Sequence, residues 1–377
     1  MKIVHIQLKL LILISIYCSF YSCDNKEPER VSVADTKTME VEQKIKDSID
    51  TYHKLDTFPV INYQKVIIRN AQHRGQLLKD FRFDTANPSK NKALRTLNRK
   101  ELGYIRVGDT ILIPDKFYDN MIAYSIFPYY YPSAAYLSKL IVVSTKWQSY
   151  ACYENGVLAR FAAANTGKER TPSFPGRYAL VWKAALRKSS LDETWLMPFT
   201  WNFHRYAGNA FHKFDMPGYP ASHSCIRQFL DDAKWLFRWG EGAKYVNRIP
   251  VDMSGTPVII IDNYDFSQGR KGPWFKLNNN KDLSLQLPYD PMTVEEALIP
   301  FYQIPKDSRG ILPNRQRYLY AEDTLRARGV IREKVKLTYS VNFNLIRKQK
   351  EASKRKKDSL KSIQQNESNS SQQILDN

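Results

Sequence analysis

Residue types able to carry out acyl transfer stand close together in the run His212-Lys213-Phe214-Asp215-Met216-Pro217-Gly218-Tyr219-Pro220-Ala221-Ser222-His223-Ser224-Cys225-Ile226-Arg227. A thiol is a poor nucleophile until it loses its proton, so Cys225 needs an imidazole within hydrogen-bond reach. His212 is the candidate base. Attack on a carbonyl places negative charge on oxygen, and the backbone N–H groups around Ser224 and Cys225 are placed to receive it. A zinc site built from His204, His212, His223 and Cys225 is the competing use of these side chains. It lacks the Cys-x-x-Cys or His-Glu-x-x-His spacing such sites show, so no metal and no cofactor is expected. Cys152 sits in a strand-like run and reads as a small core residue, and His204 as a packed histidine. Trp235 and Trp239, four apart on a helix-like stretch, read as packing.

The run resembles the signature of the L,D-transpeptidase (YkuD-like) family, in which an upstream His is followed by Ser-His-Gly-Cys, an apolar residue, and Arg or Asn. The likeness extends upstream: Tyr153-Glu154-Asn155-Gly156 is similar to the family's early hairpin, Asn165-Thr166-Gly167-Lys168 to the turn after it, and Thr171-Pro172 with Gly176 to its Thr-Pro-x-Gly element. The resemblance implies a mostly β catalytic domain in which Cys225 forms a thioester with a peptidoglycan tetrapeptide stem. An amine of a second stem then attacks to give a crosslink; the alternative is a hydrolase in which water attacks, trimming the stem (L,D-carboxypeptidase) or detaching a protein from it (stem-protein amidase). It further implies that His223 helps shape the site, Ser222 orients neighbours and Arg227 helps hold the donor peptide. The sequence departs from the pattern at Ser224, where the family has Gly. That is tolerable if the position supplies mainly its N–H and its φ admits a Cβ.

The elements that must position these residues can be read from patterning. Leu140-Ile141-Val142-Val143-Ser144 is rich in β-branched residues, and Trp147 to Tyr153 leads into Asn155-Gly156, a strong hairpin-turn signal. Val157 to Ala164 returns as the partner strand, and Pro257-Val258-Ile259-Ile260-Ile261 is a buried-strand run. A mostly β catalytic domain with few helices is therefore expected over 139–262. Upstream, Leu94 to Asn98 followed by Val107-Gly108 and Ile111-Leu112-Ile113-Pro114 resembles the second half of a LysM module; its first half is not visible. This gives a small LysM-like α+β segment at 61–115 and an aromatic, proline-bearing connector at 116–138. Residues 263–346 form an extension with no evident purpose. The basic and then Ser/Gln/Asn-rich end, 347–377, reads as a solvated, disordered tail.

The N-terminal stretch carries Lys2 and Lys9, then an apolar run from Leu10, too short to span a bilayer comfortably. Ser22-Cys23 and the abruptly polar residues after it resemble a lipoprotein signal. Residues 1–22 are thus expected to be removed, Cys23 to carry lipid, and 23–60 to tether an envelope enzyme facing the periplasm; Phe20 stands where lipoprotein signals usually place Leu, and ordinary cleavage without lipid is the alternative. Outside the cytosol structural cysteines tend to pair, yet Cys152 and Cys225 are expected to remain free, because a nucleophile must be a thiolate. The 377 residues carry 13% aromatics, including 23 Tyr and 18 Phe, enough to bury a sizeable core. A formal charge of +19 outside the cytosol suits anionic envelope polymers or membrane surfaces rather than nucleic acid. A catalytically silent wall-binding lipoprotein, favoured by Ser224 and the LysM-like segment, is the alternative from another class. A papain-like protease lacks its Cys-Gly-Ser-Cys-Trp context.

Overall fold

The computed structural model describes residues 54–82, 88–189 and 191–375, with isolated positions between 43 and 51. The chain divides into Met1–Asp47 and Ser48–Asn377, and the second unit holds all the sheets and the candidate site. The expected signal and lipid-bearing Cys23 lie outside the described residues.

A βααβ unit opens the described chain: β1 (Tyr63–Ile67), α1 (Ala71–Arg82), α2 (Pro88–Asn98) and β2 (Thr110–Pro114). The strands pair antiparallel, Tyr63 opposite Pro114. Ile68, Leu77, Leu94, Ile105 and Ile111 make a small core under them. Asn98 ties helix to strand, since its side-chain amide donates to the carbonyls of Leu94 and Leu112 while its oxygen accepts from Leu112 N, all at 2.8 Å.

Two larger sheets are built from the strands β3 (Leu140–Ser144), β4 (Ser149–Glu154), β5 (Val157–Ala163), β6 (Gly176–Ala179), β7 (Trp182–Lys188), β8 (Leu196–His204), β9 (Asn209–Lys213) and β10 (Ile226–Gln228). The strand β13 (Pro257–Ile260) completes the first, after the helix α3 (Leu230–Trp239) and a separate two-stranded hairpin of β11 (Tyr245–Val246) and β12 (Ile249–Pro250). The five-stranded sheet runs β5-β4-β3-β13-β6, and only its β13–β3 pair is parallel. The four-stranded sheet runs β10-β9-β8-β7, with β10 and β9 parallel. Side chains alternate along a strand, so β3 feeds two cores. Ile141 and Val143 meet Trp201, Phe203, Phe211 and Ile226 of the other sheet. Leu140 and Val142 face the connector aromatics Tyr124, Phe127, Tyr129 and Tyr131. Burial on both faces explains why this strand reads as an unbroken apolar run. The domain is mostly β, as its short β-branched runs and turn residues imply.

The extension after β13 is not an appendage. It is built of short 3-10 turns and α4 (Arg315–Ala327), and it inserts Phe301, Ile304, Tyr318, Leu325, Ile331 and Leu337 into the core between the sheets. Trp274 and Leu277 enter the second core. The expectation of a disordered tail is corrected: Phe343–Leu375 is one α-helix, α5. The segment holds no Gly or Pro and is rich in Lys, Arg, Gln and Glu, which lose little freedom in a helix. It is nonetheless solvated, every side chain from Lys348 to Ile363 being exposed.

The β4–β5 hairpin turns at Asn155 (φ 47°) and Gly156 (φ 79°), the left-handed pair of a two-residue type I′ turn. A Cβ on Gly156 would stand 2.7 Å from the Tyr131 carbonyl oxygen. Gly156→Ala is therefore expected to destabilise the protein by about 1–3 kcal/mol. Chemical denaturation reads this as a lower midpoint with unchanged slope, and an unshifted midpoint would contradict the steric account.

Candidate active site

The segment that carries Cys225 is pinned between the sheets by backbone pairing. Beyond β5, Asn165 and Arg227 exchange both backbone hydrogen bonds, at 3.2 and 3.0 Å, and the N–H groups of Ala221 and Ser222 reach Thr166 O. Lys168 N donates to Ser222 O at 3.1 Å, and Thr171 Oγ1 donates to the same oxygen. Ser173 Oγ accepts from Gly167 N at 3.0 Å and donates to Ser224 O at 2.9 Å. A Cβ on Gly167 would fall 2.2 Å from Thr171 O, so only Gly lets these segments approach. Ser222, buried, donates through Oγ to the Cys225 carbonyl. Downstream, α3 is fixed to β5 by the pair of half-buried Arg160 and buried Asp232, with Nε and Nη2 at 3.0 and 2.6 Å from Oδ1. Trp235 stacks on Trp239 and under Arg160, a packing role.

The register of the parallel pair sets the chemical geometry. Ile226 lies opposite Phe211, and Arg227 opposite His212. Continuing one residue back places Cys225 beside Ala210, whose backbone N–H lends the sulfur a hydrogen bond. Cys225, Arg227, Ala210 and His212 thus share one face of the sheet while Ile226 and Phe211 enter the core. His212 is buried, and its Nδ1 lies 3.0 Å from Lys213 O. That contact holds the ring proton on Nδ1 and makes Nε2 the basic nitrogen. Burial lowers the His212 pKa to about 4 and pushes the Cys225 thiol up. The resting pair is therefore imidazole and thiol, not an ion pair.

His223 lines the same cavity as Cys225. Its Nε2 lies 3.2 Å from Lys168 Nζ, and its ring is sandwiched by Trp195 and Phe343. Burial, then the charges of Lys168 and Arg227, lower its pKa to about 4. Ser224 adopts φ 69°, the left-handed region where the family pattern has Gly. Among the described residues no protein acceptor takes the N–H of Ser224 or of Cys225, leaving both for a developing oxyanion. The Arg227 guanidinium donates to Asp215 O at 3.1 Å and lies 4.6 Å over Phe214, outside the cavity that Cys225 lines. It braces the loop after His212. Cys152 and Cys225 are both free. Cys152 is wholly buried in β4, and His204 is a packed histidine whose Nδ1 accepts from Ala207 N at 3.0 Å. Among the described residues no group of three metal-ligating side chains converges.

Cys225 opens into a cavity of about 90 Å³ lined also by Thr171, Arg187, Ser189, Leu191, Met197 and Ala210. Gln303, Pro305, Thr338–Val341 and Phe343 from the extension complete the lining. None of these extension residues, nor Ser173, Trp195 or Arg187, was identified from sequence. Ser173 could have been found as the hydroxyl next to Thr171-Pro172; the extension residues carry no local signal.

Residues 138–260 match the family model described as YkuD, the L,D-transpeptidase catalytic domain. A search of curated proteins gave no match. Similar solved structures include an L,D-transpeptidase from Stackebrandtia nassauensis (19% identity, 34% of this chain and 58% of that one, TM-score 0.28). Another is an L,D-transpeptidase from Mycobacterium smegmatis (16% identity, 33% and 59%, TM-score 0.28). A third is an L,D-transpeptidase from Mycobacterium tuberculosis H37Rv (15% identity, 54% and 93%, TM-score 0.27). The match spans less than two thirds of the first two structures.

The site makes two outcomes testable. Relieving the left-handed strain at Ser224 by Ser224→Gly should raise stability by about 1 kcal/mol, a Tm gain of roughly 2–4 °C. A lower Tm would mean that the Ser224 hydroxyl, which donates to His223 O, outweighs the strain. Second, His212 and His223 have folded pKa values of about 4, below the roughly 6.5 of an unfolded histidine. The unfolded chain binds their protons first, so stability should fall as pH drops from about 6.5 towards 4. Tm measured across that window should decline less in His212→Gln than in the parent. Equal declines would show that His212 has no part in the acid lability.

Proposed function

We propose that this protein is a peptidoglycan L,D-transpeptidase of the cell envelope in which Cys225 is acylated by a tetrapeptide stem. The observation that carries the reading is one face of the β9–β10 pair. It carries Cys225 and, two residues along the same face, His212 with its basic Nε2, and the Ser224 and Cys225 N–H groups are unspent beside the small cavity that Cys225 lines. The family match over 138–260 supports the same class of chemistry.

In this reading the Cys225 proton passes to His212 Nε2 as sulfur attacks the carbonyl of the third stem residue. Charge on the carbonyl oxygen is met by the two free N–H groups. Collapse of the tetrahedral species forms the thioester and breaks the amide to the terminal residue, whose amine leaves with the proton returned by His212. An acceptor amine then attacks the thioester, giving its proton to His212, and Cys225 is regenerated as the leaving group. Water in place of the amine gives an L,D-carboxypeptidase. Because thiol and imidazole are both neutral at rest, a substrate that excludes water and fills the oxyanion site has to drive the proton transfer.

Lipid on Cys23 would hold the enzyme at a membrane facing the periplasm, as the signal-like N-terminus suggests.

The test is intact-mass spectrometry of soluble protein lacking residues 1–23, incubated with purified tetrapeptide stem and separately with a carbapenem, beside Cys225→Ala. The expected result is an adduct with each reagent that is lost in the variant. Folded protein that stays unmodified by both would replace this reading with the silent wall-binding one.

A further inference from the structure

The cavity at Cys225 has a roof that the catalytic sheets do not supply. Its floor is Ser224, Cys225 and Ala210, one wall is Thr171, and the facing wall is Ser189, Leu191 and Met197. Thr338–Phe343 crosses from one wall to the other. On the first side Thr338 N donates to Arg170 O at 2.8 Å. Arg170 Nε returns a bond to Lys336 O, and Gln303 Nε2 ties Arg170 O to Thr338 O. On the far side Phe343 N and Asn344 N both donate to Leu191 O, and Asn344 Oδ1 accepts from Glu193 N at 2.7 Å. Arg347 closes the latch on Asp192. Between the anchors Ser340 N is held by Tyr302 O at 3.0 Å.

A strip of chain fastened at both ends over a nucleophile makes a covered passage rather than an open groove. The space beside the thiol is small, about 90 Å³. A peptide reaching Cys225 must pass its end under the strip, and no bulky branch near the reacting carbonyl can be carried beneath it.

We propose that the Thr338–Phe343 roof is a specificity element, restricting the acyl donor to a linear, uncrosslinked stem. A stem whose third residue already bears another peptide on its side-chain amine is excluded. This rests on the reading of Cys225 as the acylated nucleophile and names the donor class for it. The latch, Asn344 and Arg347, lies outside the cavity lining, so it controls the roof without touching substrate.

The experiment follows Cys225 acylation by intact mass in the full-length protein with three donors: a linear tetrapeptide stem, the same stem carrying a second peptide on that amine, and a carbapenem as a compact control. The parent should acylate with the linear stem at least tenfold faster than with the branched one. In Asn344→Ala/Arg347→Ala, which weakens only the latch, the preference should shrink to threefold or less while carbapenem acylation is retained. Branched and linear stems reacting equally in the parent, or a preference unchanged in the variant, would overturn the roof. If neither the linear stem nor the carbapenem modifies Cys225, the functional reading itself fails. A variant that reacts with no donor although the parent does would show the latch to be needed for the site, also against the proposal. Thermal melts of both proteins establish that each is folded.

Discussion

The reciprocal backbone pair between Asn165 and Arg227 is the constraint on which the site depends. It joins the chain leaving the five-stranded sheet to the chain entering β10 of the other sheet, and so fixes the segment 222–225 between them. Everything near Cys225 is referred to this junction. Gly167 allows the Thr171–Ser173 turn to come close enough to bond Ser222 and Ser224. Asn165 also reaches out of the junction, its side chain donating to Arg99 O and accepting from Gly218 N. The position of Cys225 is here set by main-chain bonds, which tolerate side-chain change at Ser224 so long as that residue can hold a positive φ.

Electrostatics near the thiol follow from burial more than from charge. Arg227 and Arg187 both favour a thiolate, as does the Ala210 N–H, yet loss of water outweighs them and the pKa is raised. The same desolvation keeps His212 and His223 neutral. A site in which nucleophile and base are both uncharged loses little by being dry, and a dry cavity strengthens every bond its N–H groups make to an oxyanion. Neutral at rest and covered, the thiol is guarded against adventitious chemistry until an acyl group fits.

The legible parts of the sequence are those fixed by local rules. Asn155-Gly156 announces a type I′ turn because few other residues hold two left-handed positions. β3 announces itself because two cores draw on its alternate faces. The His212 to Arg227 run announces chemistry because thiol, imidazole and hydroxyl residues crowd it. Arg227 shows the limit: its spacing from Cys225 is visible, but the cross-strand partners that turn its guanidinium to Asp215 O are not. The tail is ambiguous because a charged, polar composition describes both a solvated helix and a disordered chain. The absence of Gly and Pro from Phe343 to Leu375 is the feature that favours the helix. The βααβ unit is half legible, since β1 and α1 have no turn residues as distinctive as Gly108.

Residues 263–346 are opaque for a different reason. Their structure is 3-10 turns and one helix whose apolar residues have no period, because they fill gaps between sheets that are already formed. Phe301, Ile304 and Leu325 are core residues by location rather than by pattern. The same segment continues through Thr338 and Phe343 into the cavity lining. Core and roof are thus one stretch of chain, and the interior packing that holds the extension also sets the height of the roof over Cys225. Such coupling means that substitutions at the buried Phe301 or Ile304, neither of which lines the cavity, are expected to act on access to Cys225 as well as on stability. A catalytic sheet pair alone would expose both its core and its thiol.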